Sequence, residues 1–321
     1  MKNQKEHVIV TGGAGFIGSH LVELLLSKDF AVTVIDNFDP FYDKQIKLSN
    51  ISSLINNPDL TFIESDILSY NTLLNQLDQN YSAIFHLAAK AGVRPSIDNP
   101  IGYQEVNVTG TQNMLEIARR KNIKQFVFAS SSSVYGINKN IPWQESDGLL
   151  YPISPYASTK ISAELMGHVY SHLYNIRFVS LRFFTVFGPR QRPDLAIHSF
   201  SKKIINNEPI NFFGDGSTKR DYTYVTDIVS GVFNALTYNQ SNYEVFNLGN
   251  HNTVSLKEMV ETLESVFDSK AKINYMPEQM GDVSITYADI DKAKRLLNYQ
   301  PKTEFKVGIQ HFKNWLLSQS T

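Results

Sequence analysis

Six short stretches of this chain are dense in β-branched and aromatic residues and lack a regular polar alternation: Val8–Val10, Ala31–Ile35, Leu60–Ile63, Ala83–Leu87, Phe126–Ala129 and Phe178–Leu181. A strand with one wet face alternates, whereas a parallel strand covered on both faces does not. Helix-like segments lie between them, at Phe16–Lys28, Thr72–Gln79, Tyr103–Lys121 and Tyr156–Tyr174. Strands that alternate with helices imply right-handed crossovers, so the expected fold class is α/β with a doubly wound parallel sheet. The pattern loosens after residue 182, where prolines and aromatics cluster in Phe183–Pro193 and glycines in Gly214-Asp215-Gly216. A capping box, Ser255 with Glu258, opens a later helix. The expected organisation is a nucleotide-binding unit over 1–182, rejoined by about 226–250, and a smaller, partly interwoven substrate unit from 183–225 and 251–321.

The string Thr11-Gly12-Gly13-Ala14-Gly15-Phe16-Ile17-Gly18 follows the first expected strand and opens the first helix. Gly12, Gly15 and Gly18 let backbone N–H groups and a helix N-terminus approach a pyrophosphate, although a plain strand–helix turn also uses glycines. The second strand ends at Asp36, about 20 residues on, where a carboxylate accepts from ribose hydroxyls and repels a 2′-phosphate. That favours a Rossmann-type unit holding NAD over NADP, with Gly12, Gly15, Phe16, Ile17 and Gly18 at the phosphates and Asp36 and Asn37 at the ribose. The other reading of Asp36 is a solvated strand-end acid. Asp66 and Ile67, after the third strand, are candidates for the adenine.

Tyr156 and Lys160 stand four residues apart at the start of a helix, on one face. An ammonium beside a phenol favours the phenolate, which makes Tyr156 a candidate acid–base near neutral pH. In a chain with 16 Tyr such a pair also arises by chance. Its context is the run Ser130-Ser131-Ser132-Ser133-Val134-Tyr135-Gly136 at the end of the fifth strand, where functional groups of such sheets collect.

The composition narrows the partners. Thirty Lys+Arg against 31 Asp+Glu leave a net charge of −1, with no electrostatic footprint for nucleic acid or an anionic membrane. There is no Cys, which excludes disulfides, thiolate metal sites and cysteine nucleophiles and suits a reducing cytoplasm. No apolar run approaches the roughly 20 residues of a membrane span, and Met1–His7 is charged and polar, unlike a secretory leader. Among the 8 His only His168 and His172 stand four residues apart, and no Cys joins them, so no metal is expected.

Taken together, the glycine turn, Asp36, His86-Leu87-Ala88-Ala89, Asn107-Val108-Thr109-Gly110-Thr111, the serine run, Tyr156/Lys160 and Leu181-Arg182-Phe183-Phe184 resemble the extended short-chain dehydrogenase/reductases that act on nucleotide sugars. The resemblance covers nearly the whole chain. Within that family it is closest to the branch of UDP-glucuronate 4-epimerases, on Ala91-Gly92-Val93-Arg94 with Ser96, Phe183–Pro189, and Gly281-Asp282-Val283 with Thr286–Asp289. The resemblance implies NAD that stays bound and is regenerated in each cycle, held also by Leu87, Ala88 and Ala89, and a UDP-sugar oxidised at C4, turned and reduced again. It implies Tyr156, Lys160 and Ser131 as the catalytic set, and Ser132 and Ser133 next to the sugar. Thr185 stands where hexose epimerases often carry Asn and suits a C6 carboxylate; it is equally a strand-end β-branched residue. Arg94 is a second carboxylate candidate or a loop charge. Arg192 and Arg220 match arginines that grip the UDP pyrophosphate, Asn211 and Phe213 match uracil contacts, and Asp282 completes the substrate set. Gln279 departs from the Arg of many hexose epimerases. Family dimers pair two helices, which here fall around Tyr103–Lys121 and Ser158–Tyr174, so a homodimer is expected, although the apolar positions of these helices equally suit packing on the sheet.

Relatives that dehydrate or decarboxylate the same oxidised sugar carry carboxylates where this chain has Ser131-Ser132-Ser133. Oxidation at C4 of a uronate makes a β-keto acid, so an epimerase must withhold a full acid and keep the carboxylate out of alignment with the ketone. Neutral hydroxyls do that. The alternatives are an epimerase of UDP-glucose or UDP-N-acetylglucosamine, a net dehydrogenase, and a non-catalytic dinucleotide sensor.

Overall fold

The computed structural model describes residues 5–148, 150–277 and 283–319. A seven-stranded, wholly parallel sheet runs through it. Its strands are β1 (His7–Thr11), β2 (Ala31–Asp36), β3 (Leu60–Glu64), β4 (Ala83–His86), β5 (Gln125–Ser131), β6 (Arg177–Phe183) and, much later, Tyr243–Leu248. Short strands intervene: β7 (Thr185–Phe187), β8 (Pro209–Phe213), β9 (Lys219–Arg220) and β10 (Tyr222–Tyr224). The late sheet strand is therefore β11, followed by β12 (Val254–Ser255) and β13 (Lys272–Met276). The order is β11-β6-β5-β4-β1-β2-β3, so the order of strand addition reverses between β1 and β4, where Thr11 pairs with His86. That switch point opens a crevice beyond the strand ends.

The helices are α1 (Phe16–Ser27), α2 (Lys44–Ile51), α3 (Tyr70–Gln76), α4 (Val93–Asp98), α5 (Pro100–Gln104), α6 (Gly110–Arg120) and α7 (Pro155–Tyr174). After them come α8 (Ala196–Ile205), α9 (Val225–Asn234), α10 (Leu256–Phe267), α11 (Asp291–Leu297) and α12 (Phe305–Ser318). No helix among the described residues is long and apolar enough to cross a membrane.

The unbroken apolarity of the strands has the expected cause. Val8 and Val10 pack into a core on one face of the sheet and Ile9 into a second core on the other. Val127 likewise faces the first and Phe126 and Phe128 the second. The helix expected over Tyr103–Lys121 is interrupted: Glu105–Thr109 forms a π turn between α5 and α6, and such widened turns cluster at functional sites. The expected capping box forms at α10, with Ser255 and Glu258 bonded reciprocally. Strand β11, in the loosely patterned half, extends the sheet beside β6, and α9 packs on α1.

Two ties fasten the loop after β7 to α1. His20 donates from Nε2 to the Pro189 carbonyl oxygen at 3.0 Å, and Arg190 pairs with Glu23 at 2.8 Å. Burial pulls the His20 imidazole down to about 4, partly offset by the Pro189 bond. The unfolded chain thus binds a proton at His20 near pH 6.5 that the folded chain refuses until about pH 4. His20 therefore stabilises the fold above pH 6.5, and that stability is lost as the pH falls towards 4. His20→Gln keeps an N–H donor without titrating. In urea unfolding at pH 7.5 and pH 4.5, wild type should lose up to about 3 kcal/mol more than His20→Gln; parallel losses would show that His20 is not held neutral.

Candidate active site

The crevice at the switch point leads into a cavity of about 1180 Å³ that runs from the glycine turn to the loops after β6, β7 and β8. Its first wall is the start of α1. Gly12 has φ +71°, and a side chain there would stand 2.8 Å from the Ala88 nitrogen. A Cβ at Gly18 would run into the Gly12 carbonyl oxygen. Gly15 caps α1 without a side-chain bond, and the first turn carries no acid, so its N–H groups face the cavity uncontested. That is a cradle fitted to a pyrophosphate.

Asp36 ends β2 in the cavity wall but is more committed than the sequence suggests. Its Oδ2 accepts from Ala14 N at 3.1 Å and its Oδ1 from Phe38 N at 2.9 Å, with the Lys47 ammonium at 3.6 Å. A carboxylate offers about four acceptor sites, so room for ribose hydroxyls remains. Lys47, on α2, was not singled out in the sequence, and nothing in its spacing marks it. Asn37 donates to Asp66 at 2.7 Å, tying the two expected adenosine contacts together. Ile67 is buried against Gly110, where a Cβ would meet its side chain at 2.5 Å. Leu87, Ala88 and Ala89 form the opposite wall.

The second wall is α7. Ser154 caps it by accepting from Ala157 N, and Pro155 sits at the first helical position, which brings Tyr156 to the end of β5. Tyr156, Lys160 and Ser131 all line the cavity. The Ser131 hydroxyl stands near enough to the Tyr156 phenol to favour its ionised form. The Ser131 oxygen accepts from Ser133 N at 3.2 Å and Ser133 Oγ at 2.8 Å, so its own hydrogen is left for the phenolic oxygen. That arrangement favours a phenolate. Burial nonetheless pushes the phenol up, with the Ser131 hydroxyl and the Arg192 guanidinium pulling it back. Lys160, the expected source of that lowering, is not among its causes. Here its ammonium donates to the Ala129 carbonyl oxygen at 2.7 Å, stands 5.8 Å from the Tyr156 ring centre, and is itself pulled down to about 7 by burial.

Glu164, one turn beyond Lys160, was missed. Its buried carboxylate accepts from Ser130 Oγ at 2.6 Å, Ser180 Oγ at 3.0 Å, and Arg182 Nε and Nη2 at 3.1 and 2.8 Å. The signal was present as a third residue at the same four-residue interval on the Tyr156/Lys160 face.

The remaining walls come from the second half. Thr185 lines the cavity, its N–H donating to the Asp221 carbonyl oxygen at 3.0 Å. Arg192 pairs with Asp194 at 2.7 Å, donates to the Ala91 carbonyl oxygen at 3.4 Å, and lies over the Phe41 ring at 5.0 Å. Arg94 lies 5.6 Å over the Phe213 ring, and Arg220 also faces the cavity. Three expected substrate residues do not line it. Ser132 starts a 3-10 turn, Ser133 serves Ser131, and Asn211 accepts from Asn274 at 3.1 Å across β8 and β13. Asp282 and Gln279 lie outside the described residues.

The family model described as GDP-mannose 4,6 dehydratase matches residues 9–312. A UDP-glucuronate 4-epimerase of Thermodesulfobacterium geofontis is 40% identical over 96% of this chain and 95% of its own length. The solved UDP-glucuronic acid 4-epimerase from Bacillus cereus, in complex with UDP-glucuronic acid and NAD, superposes with a TM-score of 0.92 at 37% identity, covering 98% of this chain and 99% of that one. A UDP-N-acetylglucosamine 4-epimerase from Methanobrevibacter ruminantium, in complex with UDP-N-acetylmuramic acid, gives 0.90 at 32% identity, with coverages of 98% and 99%.

Removing half of a buried ion pair strands the other half. Glu164→Gln should therefore lower the urea midpoint by the equivalent of about 3 kcal/mol, with the denaturant slope unchanged. A change below about 0.5 kcal/mol would mean that Arg182 does not need the charge.

Proposed function

The chain belongs to the extended short-chain dehydrogenase/reductase family of nucleotide-sugar epimerases, and from that membership we propose that it is an NAD-dependent UDP-sugar 4-epimerase whose preferred pair is UDP-glucuronate and UDP-galacturonate. The observation that carries this reading is the meeting of Tyr156, Ser131 and Lys160 in one cavity with the glycine cradle. When bound in that cradle, NAD supplies a reversible two-electron oxidant for a carbinol carbon. The chain's own residues do the rest. Tyr156 takes the proton of the 4-hydroxyl and later gives it back, and Ser131 donates to the phenolate. Lys160, with charge favoured by Glu164, holds the end of β5 through Ala129 and adds positive potential beside the ring. Arg192 and Arg220, both on the cavity wall, grip the diphosphate in this reading while the sugar turns. The size of the cavity supports a sugar that presents first one face and then the other.

The uronate preference rests on the likeness to UDP-glucuronate 4-epimerases and on chemistry. Thr185 on the wall is a neutral hydroxyl, and no carboxylate stands at Ser131, Ser132 or Ser133 to protonate an enolate and drive loss of carbon dioxide. We also propose a cytoplasmic homodimer. Leu165, Val169 and Leu173 repeat every four residues along the outer side of α7 and are exposed, with Ile101 nearby on α5. A charge at Val169 should shift the sedimentation of the native chain to that of a monomer.

One incubation tests the activity: UDP-glucuronate or UDP-glucose, no added oxidant, products resolved. The expected result is UDP-galacturonate without NADH accumulation, at a kcat/KM at least tenfold above that for UDP-glucose. Equal values would favour the neutral-hexose reading, and NADH appearing in step with product would favour a dehydrogenase. Tyr156→Phe should lose on the order of 10²–10⁴ in turnover while UDP-sugar binding stays within a few fold. Near-normal turnover in that variant would remove Tyr156 as the base.

A further inference from the structure

A buried hydrogen-bond chain crosses the core beside the site, and the proposed chemistry gives it no task. His86 ends β4 and is 1% exposed. Its Nδ1 lies 2.8 Å from Thr11 Oγ1 and its Nε2 lies 3.0 Å from Thr111 Oγ1. Burial, with the Lys160 charge adding to it, pulls the imidazole down to about 3, so the ring is neutral and carries one proton.

Its neighbours decide where that proton sits. The Thr111 hydroxyl donates to the Asn107 carbonyl oxygen at 2.7 Å, and a carbonyl only accepts. Thr111 Oγ1 has therefore spent its hydrogen and must accept from His86 Nε2–H. The bare Nδ1 then accepts from the Thr11 hydroxyl, whose oxygen receives the Ala88 N–H at 3.1 Å. A backbone donor at one end and a backbone acceptor at the other allow the chain only one direction.

The chain continues to the catalytic helix. Asn107 sits in the π turn. Its side chain accepts from Lys90 N at 2.8 Å and donates to the Lys90 carbonyl oxygen at 2.9 Å and to Thr159 Oγ1 at 3.0 Å. Thr159 in turn donates to the Tyr156 carbonyl oxygen at 2.7 Å. The two ends, Ala88 and Tyr156, both stand in the cavity wall.

We propose that His86, fixed as the Nε2–H tautomer by Thr11 and Thr111, is a positioning residue that sets the first turn of α7, and with it Tyr156, relative to the strand ends that carry the glycine turn. Turnover needs the phenolic oxygen and the cradle at a fixed separation, and a misplacement of about 1 Å costs up to 10²-fold. A satisfied polar chain holds that separation against the sliding that apolar packing tolerates. This inference rests on Tyr156 as the base.

The test has two arms on the full-length chain. Nitrogen-15 NMR of labelled histidine should show His86 protonated at Nε2 and bare at Nδ1; the opposite tautomer would overturn the proposal, and this reading needs no turnover. In the second arm, Thr111→Val should lower kcat roughly tenfold with KM within twofold, and Thr111→Ser should restore it. Thr159→Val, which cuts the same chain on the α7 side of Asn107, should do likewise, and the double variant should be no slower than either single one. Wild-type kcat in Thr111→Val, equal losses in Thr111→Ser, or multiplying losses would each overturn it; if Thr111→Val fails to fold, Thr159→Val alone decides. A wild-type chain that inverts no UDP-sugar would instead remove the proposed function and leave the tautomer measurement to judge His86.

Discussion

A single buried carboxylate sets the frame. Glu164 is out of reach of water, and an unsatisfied charge there would cost several kcal/mol. Its partners come from the ends of β5 and β6, so α7 has one seat in which all of them are met. With that seat fixed, residues four and eight positions earlier on the same stripe, Lys160 and Tyr156, arrive at the strand ends together. The influence reaches further. Arg182 lies 4.8 Å over the Tyr135 ring, the Tyr135 hydroxyl donates to Asn247 Oδ1, and Asn247 Nδ2 donates to the carbonyl oxygens of Trp143 and Asp289. The later segments are thereby built onto the same anchor.

Asp221 plays the corresponding part in the second half. Its oxygens accept from the N–H groups of Asn250, His251 and Ala288 and from the Thr223 hydroxyl. Burial still pushes its carboxyl up to about 6. Its own backbone carbonyl holds Thr185, and its chain neighbour is Arg220, so one residue frames two groups of the cavity wall.

What the sequence disclosed follows from what is local. Strands wet on neither face advertise themselves by composition, and the glycines of the turn by the absence of side chains where backbones touch. Tyr156, Lys160 and Ser131 were legible because strand end and helix start are close in the chain's logic. Lys47 and the commitment of Asp36 were not, since they depend on how α2 folds back over β2. The internal bonds of Ser133 and Asn211, to Ser131 and from Asn274, were not legible either, since they depend on which neighbour the fold brings near. Strand β11 lies within the segment expected to rejoin the first unit, about 226–250. Its run, Tyr243–Leu248, is not marked as a strand by composition because it begins with two half-buried residues at the sheet edge, where covering is incomplete. The π turn has no periodicity of its own: five residues cannot reveal a change of pitch.

The fastening of the Pro189 loop to α1 makes that helix a ruler. Phe16 begins at the anion cradle, and His20 and Glu23, one and two turns on, fix how far away Arg192 is held. Adding or deleting one residue between the cradle and His20 would rotate both fastenings by about 100° and shift them by about 1.5 Å. The distance between the glycine cradle and the Arg192 end of the cavity is thus written in a count of residues as well as in their kind.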